Sequence, residues 1–297
     1  KARGVVMRFI TYLINGISLG SIYAIIALGY TMVYGIAKML NFAHGDIIMV
    51  GSYVVYIAVS SLGLNPILSV VISAIACLVL GVVIEKVAYK PLRHASKLAV
   101  LITAIGVSYF LQNVALLIFG ANTKSFTSVV PAVSVKLGGI TITAETIVTI
   151  LACVIIMICL TLFINKTKAG HAMQAVSEDQ DAAQLMGINV NATISLTFAI
   201  GSALAAVAGV LLCSAYPSLT PYTGAMPGIK AFVAAVFGGI GSIPGALIGG
   251  ILLGVIEILS KAYISSQLSD AIVFGVLIVV LVVKPTGILG KVIQEKV

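Results

Sequence analysis

Asn165-Lys-Thr-Lys-Ala-Gly-His171 and Ser177-Glu-Asp-Gln-Asp-Ala-Ala-Gln-Leu-Met-Gly187 form the longest hydrophilic stretch of the chain, and nearly everything on either side is apolar. The second part predicts a short helix in water. Ser177 is a suitable N-cap, with Gln180 three residues later as its capping-box partner. The acidic residues that follow Ser177 suit the positive end of a helix dipole, and Gly187 is placed to end the helix.

This predicted helix carries a small apolar patch that consists of Ala182, Ala183, Leu185 and Met186, beside the acidic Asp181. A short helix outside a membrane domain, with an acidic start and an apolar patch, suits contact with a soluble partner. The alternative interpretation is an ordinary loop that folds as a helix and has no partner.

The composition excludes a soluble globular protein. Of 297 residues, 60% are hydrophobic and only 9% are charged, whereas typical soluble domains contain about 25% charged residues. A membrane-spanning helix needs roughly 20 apolar residues. We therefore predict an all-α polytopic membrane protein with about eight transmembrane helices, near 9–29, 44–60, 67–85, 98–119, 146–164, 193–213, 243–260 and 271–283, and a shorter apolar run at 228–241.

Charges and reactive side chains exclude several other classes. The net charge of +8 comes from cations at the ends of apolar runs, which is typical of membrane orientation rather than nucleic-acid binding. The four cysteines lie inside apolar runs, where they act as small hydrophobic residues. The three histidines, His44, His94 and His171, lack metal-ligand spacing. No Walker A sequence occurs, so we expect no ATP, metal or other cofactor on this chain.

The cation clusters predict the orientation of the spans. They are Lys1/Arg3/Arg8, Lys86/Lys90/Arg93/Lys97, Lys166/Lys168 and Lys284/Lys291/Lys296. If all of them face the cytoplasm, both termini are cytoplasmic, and each half must contain a re-entrant element. We predict descending half-helices at 31–40 and from Pro227 onward, which makes the two halves parallel repeats. Eight straight spans are the alternative, with one cluster per half facing outward.

Two breaks in the apolar pattern predict a translocation path. Non-helical backbone at membrane depth is tolerated only where it is buried in protein or lines a water-filled cavity. The residues predicted for this path are Asn41, His44, Gly45 and Asp46 at the first break, Gly238, Gly239, Gly241 and Pro244 at the second, and Glu257. A carboxylate in a membrane is costly and tends to be functional or paired. Asp46 either contacts the substrate or neutralises Lys38 and fixes the turn.

Other features predict helix packing rather than binding. Asn15, Gln112 and Asn113 are expected to hydrogen-bond between helices. Small residues recur at four-residue spacing, which allows close packing within the chain or against a second chain. These sets are Gly16/Gly20, Gly201/Ala205/Gly209, Gly245/Gly249 and Gly250/Gly254.

Four segments resemble one family closely. They are Leu13-Ile-Asn-Gly-Ile-Ser-Leu-Gly20, Ala27-Leu-Gly-Tyr-Thr-Met-Val-Tyr-Gly35, Asn41-Phe-Ala-His-Gly-Asp46 and Phe237-Gly-Gly-Ile-Gly-Ser-Ile-Pro-Gly245. The chain is thereby similar, over nearly its whole length from Met7, to the permease subunits of bacterial high-affinity branched-chain amino acid ABC importers. The glycine-rich second break is shared more widely with sugar and urea permeases.

The resemblance implies one permease domain over 1–297, with halves near 9–97 and 193–283, two linking spans over 98–164 and a cytoplasmic coupling loop at 165–191. It implies the bacterial inner membrane, a second homologous permease chain in a heterodimer, two cytoplasmic ATPase subunits and an extracytoplasmic substrate-binding protein. Within the loop, Gly170 to Gly187, including His171, Ser177 and Asp181, match the segment that contacts the ATPase. A permease for urea, short amides or other amino acids, and an autonomous channel or secondary transporter, remain alternatives.

Overall fold

The computed structural model describes residues 2–93, 95–131, 133–137 and 140–290. Lys1, His94, Lys291 and Lys296, which the sequence analysis used, lie outside the described residues. The predicted all-α polytopic class is confirmed: six helices are long and apolar enough to cross a membrane, and two shorter apolar helices bring the number to eight.

The helices follow one another with short connections. They are α1 (Ala2–Ala37), α2 (His44–Tyr56), α3 (Pro66–Ile84), α4 (Lys97–Phe119), α5 (Ala144–Lys166), α6 (Lys168–Glu178), α7 (Gln180–Leu185), α8 (Val190–Ala215), α9 (Ala225–Gly238), α10 (Ile243–Tyr263) and α11 (Ser269–Val283). A π-helical turn, Ile57–Ser61, extends α2, and a second one, Glu85–Tyr89, with the 3-10 turn Lys90–Leu92 extends α3.

The helix starts follow local sequence signals. Asn65, Ser96, Thr143, Asn189 and Ser242 each accept a backbone N–H of the first turn of α3, α4, α5, α8 and α10, respectively. Such caps satisfy amides that have no partner within the helix. Proline at the first turn of α3 and α10 adds to this, because its missing N–H costs nothing there.

Four short strands lie together on one face of the helices. β1 (Lys124–Ser125) pairs antiparallel with β4 (Ser218–Leu219), and β2 (Ser134–Leu137) pairs antiparallel with β3 (Ile140–Thr143). These strands follow α4 and α8 and precede α5, so we call this face the strand face. The opposite face, where α5 ends and α8 begins, carries α6 and α7, and we call it the α7 face.

The small-residue sets pack within the chain. Gly16 and Gly20 of α1 lie against Val255 and Ile251 of α10, and Gly250 of α10 lies against Ala24. A side chain at any of these glycines would overlap backbone atoms of the other helix. The prediction of close packing is therefore confirmed, and its partner is the same chain.

The path of α1 differs from the prediction. Residues 31–40 were expected to form a separate descending half-helix, but α1 is one continuous helix of 36 residues that ends at Ala37. Its first half lies beside the end of α10, where the rings of Tyr12 and Tyr263 are 5.8 Å apart. Its last turn lies beside the start of α10, where Gly35 faces Gly241. A continuous apolar helix has a lower free energy in the membrane than a broken one, since it leaves no backbone N–H or C=O group in its interior unpaired.

The end of α1 lies on the α7 face. The Tyr89 hydroxyl donates to the Asn41 side-chain oxygen at 2.9 Å, just after α1. Four residues after Tyr89, Arg93 donates to Asn191 at the start of α8. α10 begins on the α7 face, beside the last turn of α1, and ends on the strand face. The first half of α1 lies beside the end of α10, so the first residues of α1 lie on the strand face.

The last described residues lie on the α7 face. The Ile288 N–H donates to the carbonyl oxygen of Phe237, at the end of α9, at 2.9 Å. The prediction that both termini share the cytoplasmic face is therefore wrong: the first and last described residues lie on opposite faces. The error came from taking the first cations of the chain as a marker of the cytoplasmic side.

Two half-helices start at the same place and run to opposite faces. α2 runs toward the strand face, where Tyr53 stacks on Phe119 at 4.0 Å between ring centroids. α9 runs toward the α7 face. The order α1, α2, α3, α4 is matched by α8, α9, α10, α11 with every direction reversed, so the repeats are inverted. The predicted parallel arrangement is wrong, because it depended on the first cations being cytoplasmic.

Candidate functional site

The first break is a non-helical segment, residues 38–43, that leads from the end of α1 back into the helix bundle. Lys38 begins it with φ 55°, the one non-glycine residue with positive φ among the described residues. α2 then begins without a side-chain cap, and the N–H of His44 donates to the Asn41 carbonyl oxygen at 3.2 Å. Asn41, His44, Gly45 and Asp46 are all buried, as expected for a break at membrane depth.

The starts of α2 and α9 meet at glycines. A Cβ on Gly224 would overlap the Gly45 carbonyl oxygen, and a Cβ on Gly228 would lie 2.7 Å from the Gly45 Cα. The two backbones touch here because neither has a side chain. Both helix dipoles direct their positive ends toward this contact, which we call the glycine junction (Gly45, Gly224 and Gly228).

Asp46 lies in the first turn of α2, beside the glycine junction, and its side chain is buried. Its Oδ1 accepts a hydrogen bond of 2.8 Å from the Gln112 amide of α4. Lys38 forms no ion pair with Asp46 among the described residues. The proposed neutralisation by Lys38 is therefore not what the structure shows; the half-helix dipole and an amide stabilise the carboxylate instead.

The second break is the turn between α9 and α10. Gly239 and Gly241 have φ of 106° and 92°, which only glycine adopts readily. This turn lies at the α7 face against Gly35 and is separate from the glycine junction. Gly238 packs on Gly245, whereas Gly241 and Pro244 are exposed.

A small cavity lies between the two predicted breaks. It is lined by Tyr30, Tyr34, Met39, Leu40, Asn41, Phe232, Ala235 and Ile240. Its volume is about 10 Å³, which is room for about one water molecule. This cavity therefore has no room for a molecule much larger than water.

Glu257 is the centre of a buried charge network that we call the Glu257 network. Its carboxylate accepts hydrogen bonds from the Tyr23 hydroxyl and the Lys230 ammonium, both at 2.8 Å, and from Lys261 at 2.6 Å. Lys230 also pairs with Asp270 at 2.7 Å. The network joins α1, α9, α10 and α11, and it does not include the residues of either break.

The hydrophilic stretch forms two helices rather than one. Thr167 caps α6, and Asp179 caps α7 by accepting the N–H groups of Asp181 and Ala182, each at 3.0 Å. Ser177 was predicted as the cap, but it lies in the last turn of α6 and donates to the Gln174 carbonyl oxygen. Gly187, with φ 82°, follows α7 as predicted.

The apolar patch on α7 is smaller than predicted. Leu185 and Met186 are 88% and 82% exposed, but Ala183 is buried and packs against the bundle. Gly170 is also buried, and a side chain there would overlap Phe163 and Ile164, whereas His171 is exposed. The surface that α7 offers to a partner therefore consists of Leu185 and Met186, with Asp181 and Ala182 exposed beside them.

A polar groove separates α7 from the end of α3. Its volume is about 650 Å³. Its lining comes from both sides and consists of Lys90, Arg93, Gln180, Asp181, Gln184, Gly187, Ile188, Asn189, Val190 and Asn191. Arg93 is fixed by the buried Glu85. The α7 face thus presents an exposed apolar pair beside a polar groove.

Comparison with known proteins decides the family. The model of the branched-chain amino acid transport system permease component matches residues 12–281. The chain belongs to this family. Permease BraD of Pseudomonas aeruginosa is 45% identical over 98% of this chain and 99% of its own length, and LivH of Escherichia coli K12 is 46% identical over 98% of each. A probable LivH of Methanocaldococcus jannaschii is 31% identical over 91% of this permease.

Several residues of this permease escaped the sequence analysis. Gly224 and Gly228 form the junction with Gly45, yet only the proline-glycine pair at 227–228 indicated a helix start there. Lys230, three residues after Pro227, was not identified as a partner of Glu257. Lys230 and Tyr23 lie 27 and 234 residues from Glu257 in the sequence. No local sequence pattern indicates contacts between residues so far apart.

Proposed function

We propose that this permease is the membrane subunit through which an ATP-driven importer passes leucine, isoleucine and valine into the cell. The observation that carries the proposal is near full-length identity of 45% to 46% with high-affinity branched-chain amino acid permease proteins. The chain supplies no ATPase site or cofactor of its own, and separate ATPase subunits hydrolyse ATP. A binding protein delivers the substrate on the strand face.

The α7 face is cytoplasmic in this proposal, and the membrane is the bacterial inner membrane. Positive residues favour the cytoplasmic side of short loops. Most described cations near the membrane ends lie on the α7 face: Lys38, Lys86, Lys90, Arg93, Lys97, Lys166, Lys168 and Lys284. The described start of α1 is then extracytoplasmic and the end of α11 cytoplasmic.

The ATPase docks on α7, because Leu185 and Met186 are exposed there beside the polar groove. Movement of α7 passes directly into α8, whose start is also fixed to Arg93. Farther along α8, Gly201 packs on Gly29 of α1, and Gly209 packs on Ile48 of α2. A shift of α8 therefore reaches both helices that hold the first break, and the second permease chain completes the path.

The test is purification of the intact complex in mild detergent, with mass spectrometry of the proteins retained. We expect two ATPases and a second permease with the native chain, and binding-protein-dependent leucine uptake in liposomes with ATP. The double variant Leu185→Asp/Met186→Asp is expected to lose ATPase retention by at least tenfold, as for about 1.4 kcal/mol or more of lost interface energy.

The matched control is Leu62→Asp, which makes the same change at an exposed leucine on the strand face. It is expected to retain the ATPases fully. Normal ATPase retention by the α7 double variant would contradict the docking assignment. Substrate uptake without ATP or a binding protein would instead support an autonomous transporter. Uptake of urea but not of leucine would support a related importer with another substrate.

A further inference from the structure

Two glycines of the membrane helices differ from the rest. The glycines of α1, α2, α3, α8, α9 and α10 face other parts of the chain, but a Cβ on Gly106 of α4 or Gly275 of α11 would meet no atom within 4 Å. In membrane proteins, small residues mark places where helices approach closely. Gly106 and Gly275 are thus unused packing positions among the described residues.

Polar side chains accompany only one of these glycines. Gly106, Tyr109 and Asn113 are spaced by three and four residues, so they share one face of α4. Tyr109 is 62% exposed, and Asn113 is also exposed. The Asn113 amide nitrogen donates to the Tyr109 backbone oxygen at 2.7 Å. Its side-chain oxygen and the Tyr109 hydroxyl have no partner among the described side chains.

These polar groups lie within a helix that crosses the membrane. α4 spans 23 residues, and Tyr109 is near its middle. A polar group that lacks a hydrogen bond in hydrocarbon is strongly unfavourable. Lipid does not supply hydrogen bonds, so this face needs a protein or water partner.

α5 shows what a lipid-facing helix of this chain looks like. It is as exposed as α4 and more hydrophobic. Its exposed positions include Leu151, Ile155, Ile158 and Leu162, all aliphatic. Around Gly275, the exposed neighbours Ile278, Val279 and Val282 are also aliphatic. Of these three faces, only that of α4 combines an open glycine with unsatisfied polar groups.

We propose that the α4 face (Gly106, Tyr109 and Asn113) is the surface that packs against the second permease chain. This inference rests on the proposed function, which supplies a partner of the same fold. A protein partner can form hydrogen bonds with the Asn113 amide and the Tyr109 hydroxyl, each of which both donates and accepts. Gly106 provides the notch where the helices cross.

The position of this face connects it to the glycine junction. Gln112, the residue before Asn113, points the other way and donates to Asp46 at the start of α2. The helix that contacts the partner is therefore the helix that holds Asp46. A change in how the two permeases meet reaches the half-helix through one side chain.

The test places a photo-crosslinking amino acid at position 109 of the full complex in native membranes. The matched control places it at Ile155 on α5, where lipid is expected. We expect a cross-linked pair of permease chains from position 109 and none from position 155. Cross-links to the second permease from 155 but not from 109 would overturn this inference alone, whereas absence of any second permease from the purified complex would overturn the proposed function.

A substitution gives an independent readout. Asn113→Leu removes the polar groups that a lipid-facing helix would need to satisfy. If α4 contacts the second permease, this variant retains several-fold less of that chain during purification, and Gly106→Leu does the same. Unchanged retention with a higher melting temperature for Asn113→Leu would show that the face lies in lipid and would refute the proposal. Ile155→Leu serves as the neutral control.

Discussion

The two half-helices have the same backbone design and different anchors. α2 and α9 start at the glycine junction and run in opposite directions, and each contacts the last helix of its repeat. Asp46 of α2 is held to α4 by one amide hydrogen bond. Lys230 of α9 forms ion pairs with Glu257 of α10 and Asp270 of α11. The Glu257 carboxylate also accepts hydrogen bonds from Tyr23 and Lys261. The comparison indicates that buried charge pairs hold α9, whereas the carboxylate at the start of α2 is held by a single amide hydrogen bond.

The largest expected effect comes from removing the centre of the Glu257 network. Glu257→Leu leaves Lys230 buried with only Asp270 as its partner. Breaking a buried ion pair in this way destabilises proteins by about 3 to 5 kcal/mol. We expect a clear fall in the apparent melting temperature of the purified complex, or failure of the chain to assemble.

The double variant Lys230→Met/Glu257→Leu sharpens this prediction. It removes both charges and fills the space with apolar atoms, which is often tolerated better than one unpaired charge. We expect a melting temperature between those of Glu257→Leu and the native chain. A double variant less stable than Glu257→Leu would show that the network holds α9 by more than charge pairing.

The next largest effect is expected at the glycine junction. Gly224→Val forces a side chain into the Gly45 backbone, and such overpacking costs about 1 to 3 kcal/mol or more. Because the clash separates the starts of α2 and α9, we also expect reduced leucine uptake. The measurements are melting temperature and uptake in liposomes.

Gly275→Val is the matched control for the junction, since a side chain there meets open space. It is expected to leave both the melting temperature and the uptake near native values. Equal losses of stability and uptake in the Gly224 and Gly275 variants would mean that the glycine junction is no more constrained than a surface glycine. The close contact between the starts of α2 and α9 would then not be required.

The smallest effect on stability is expected at Asp46. Asp46→Asn retains an oxygen that accepts from Gln112, so the loss of stability should be less than about 1 kcal/mol, the usual net value of one hydrogen bond. Gln112→Leu should cost more, because it leaves a buried carboxylate without that partner. Melting temperatures of the two variants test this order.

Uptake distinguishes two roles for Asp46. If the carboxylate takes part in opening α2 or in contacting substrate, Asp46→Asn lowers leucine uptake far more than it lowers the melting temperature. Native uptake with near-native stability would reduce Asp46 to a residue that fixes the start of α2.

The sequence alone determined the class, the number of apolar helices and both breaks. Length and hydrophobicity are enough for this, since the membrane requires about 20 apolar residues per crossing and admits few alternatives. Local signals also placed the hydrophilic helix and its end at Gly187. The choice of Ser177 over Asp179 as a cap failed because several capping residues follow one another there, and sequence does not rank them.

Only the tertiary structure decided the direction of the chain, the pairing of charges and the use of each glycine. Orientation depended on which cations face the cytoplasm, and a parallel or an inverted repeat fits the same apolar segments. The contacts Gly45 to Gly224 and Lys230 to Glu257 join residues distant in sequence, so no local pattern reveals them. The apolar pattern is imposed by lipid on each segment separately, whereas the site arises from contacts among segments, and those exist only once the helices are packed.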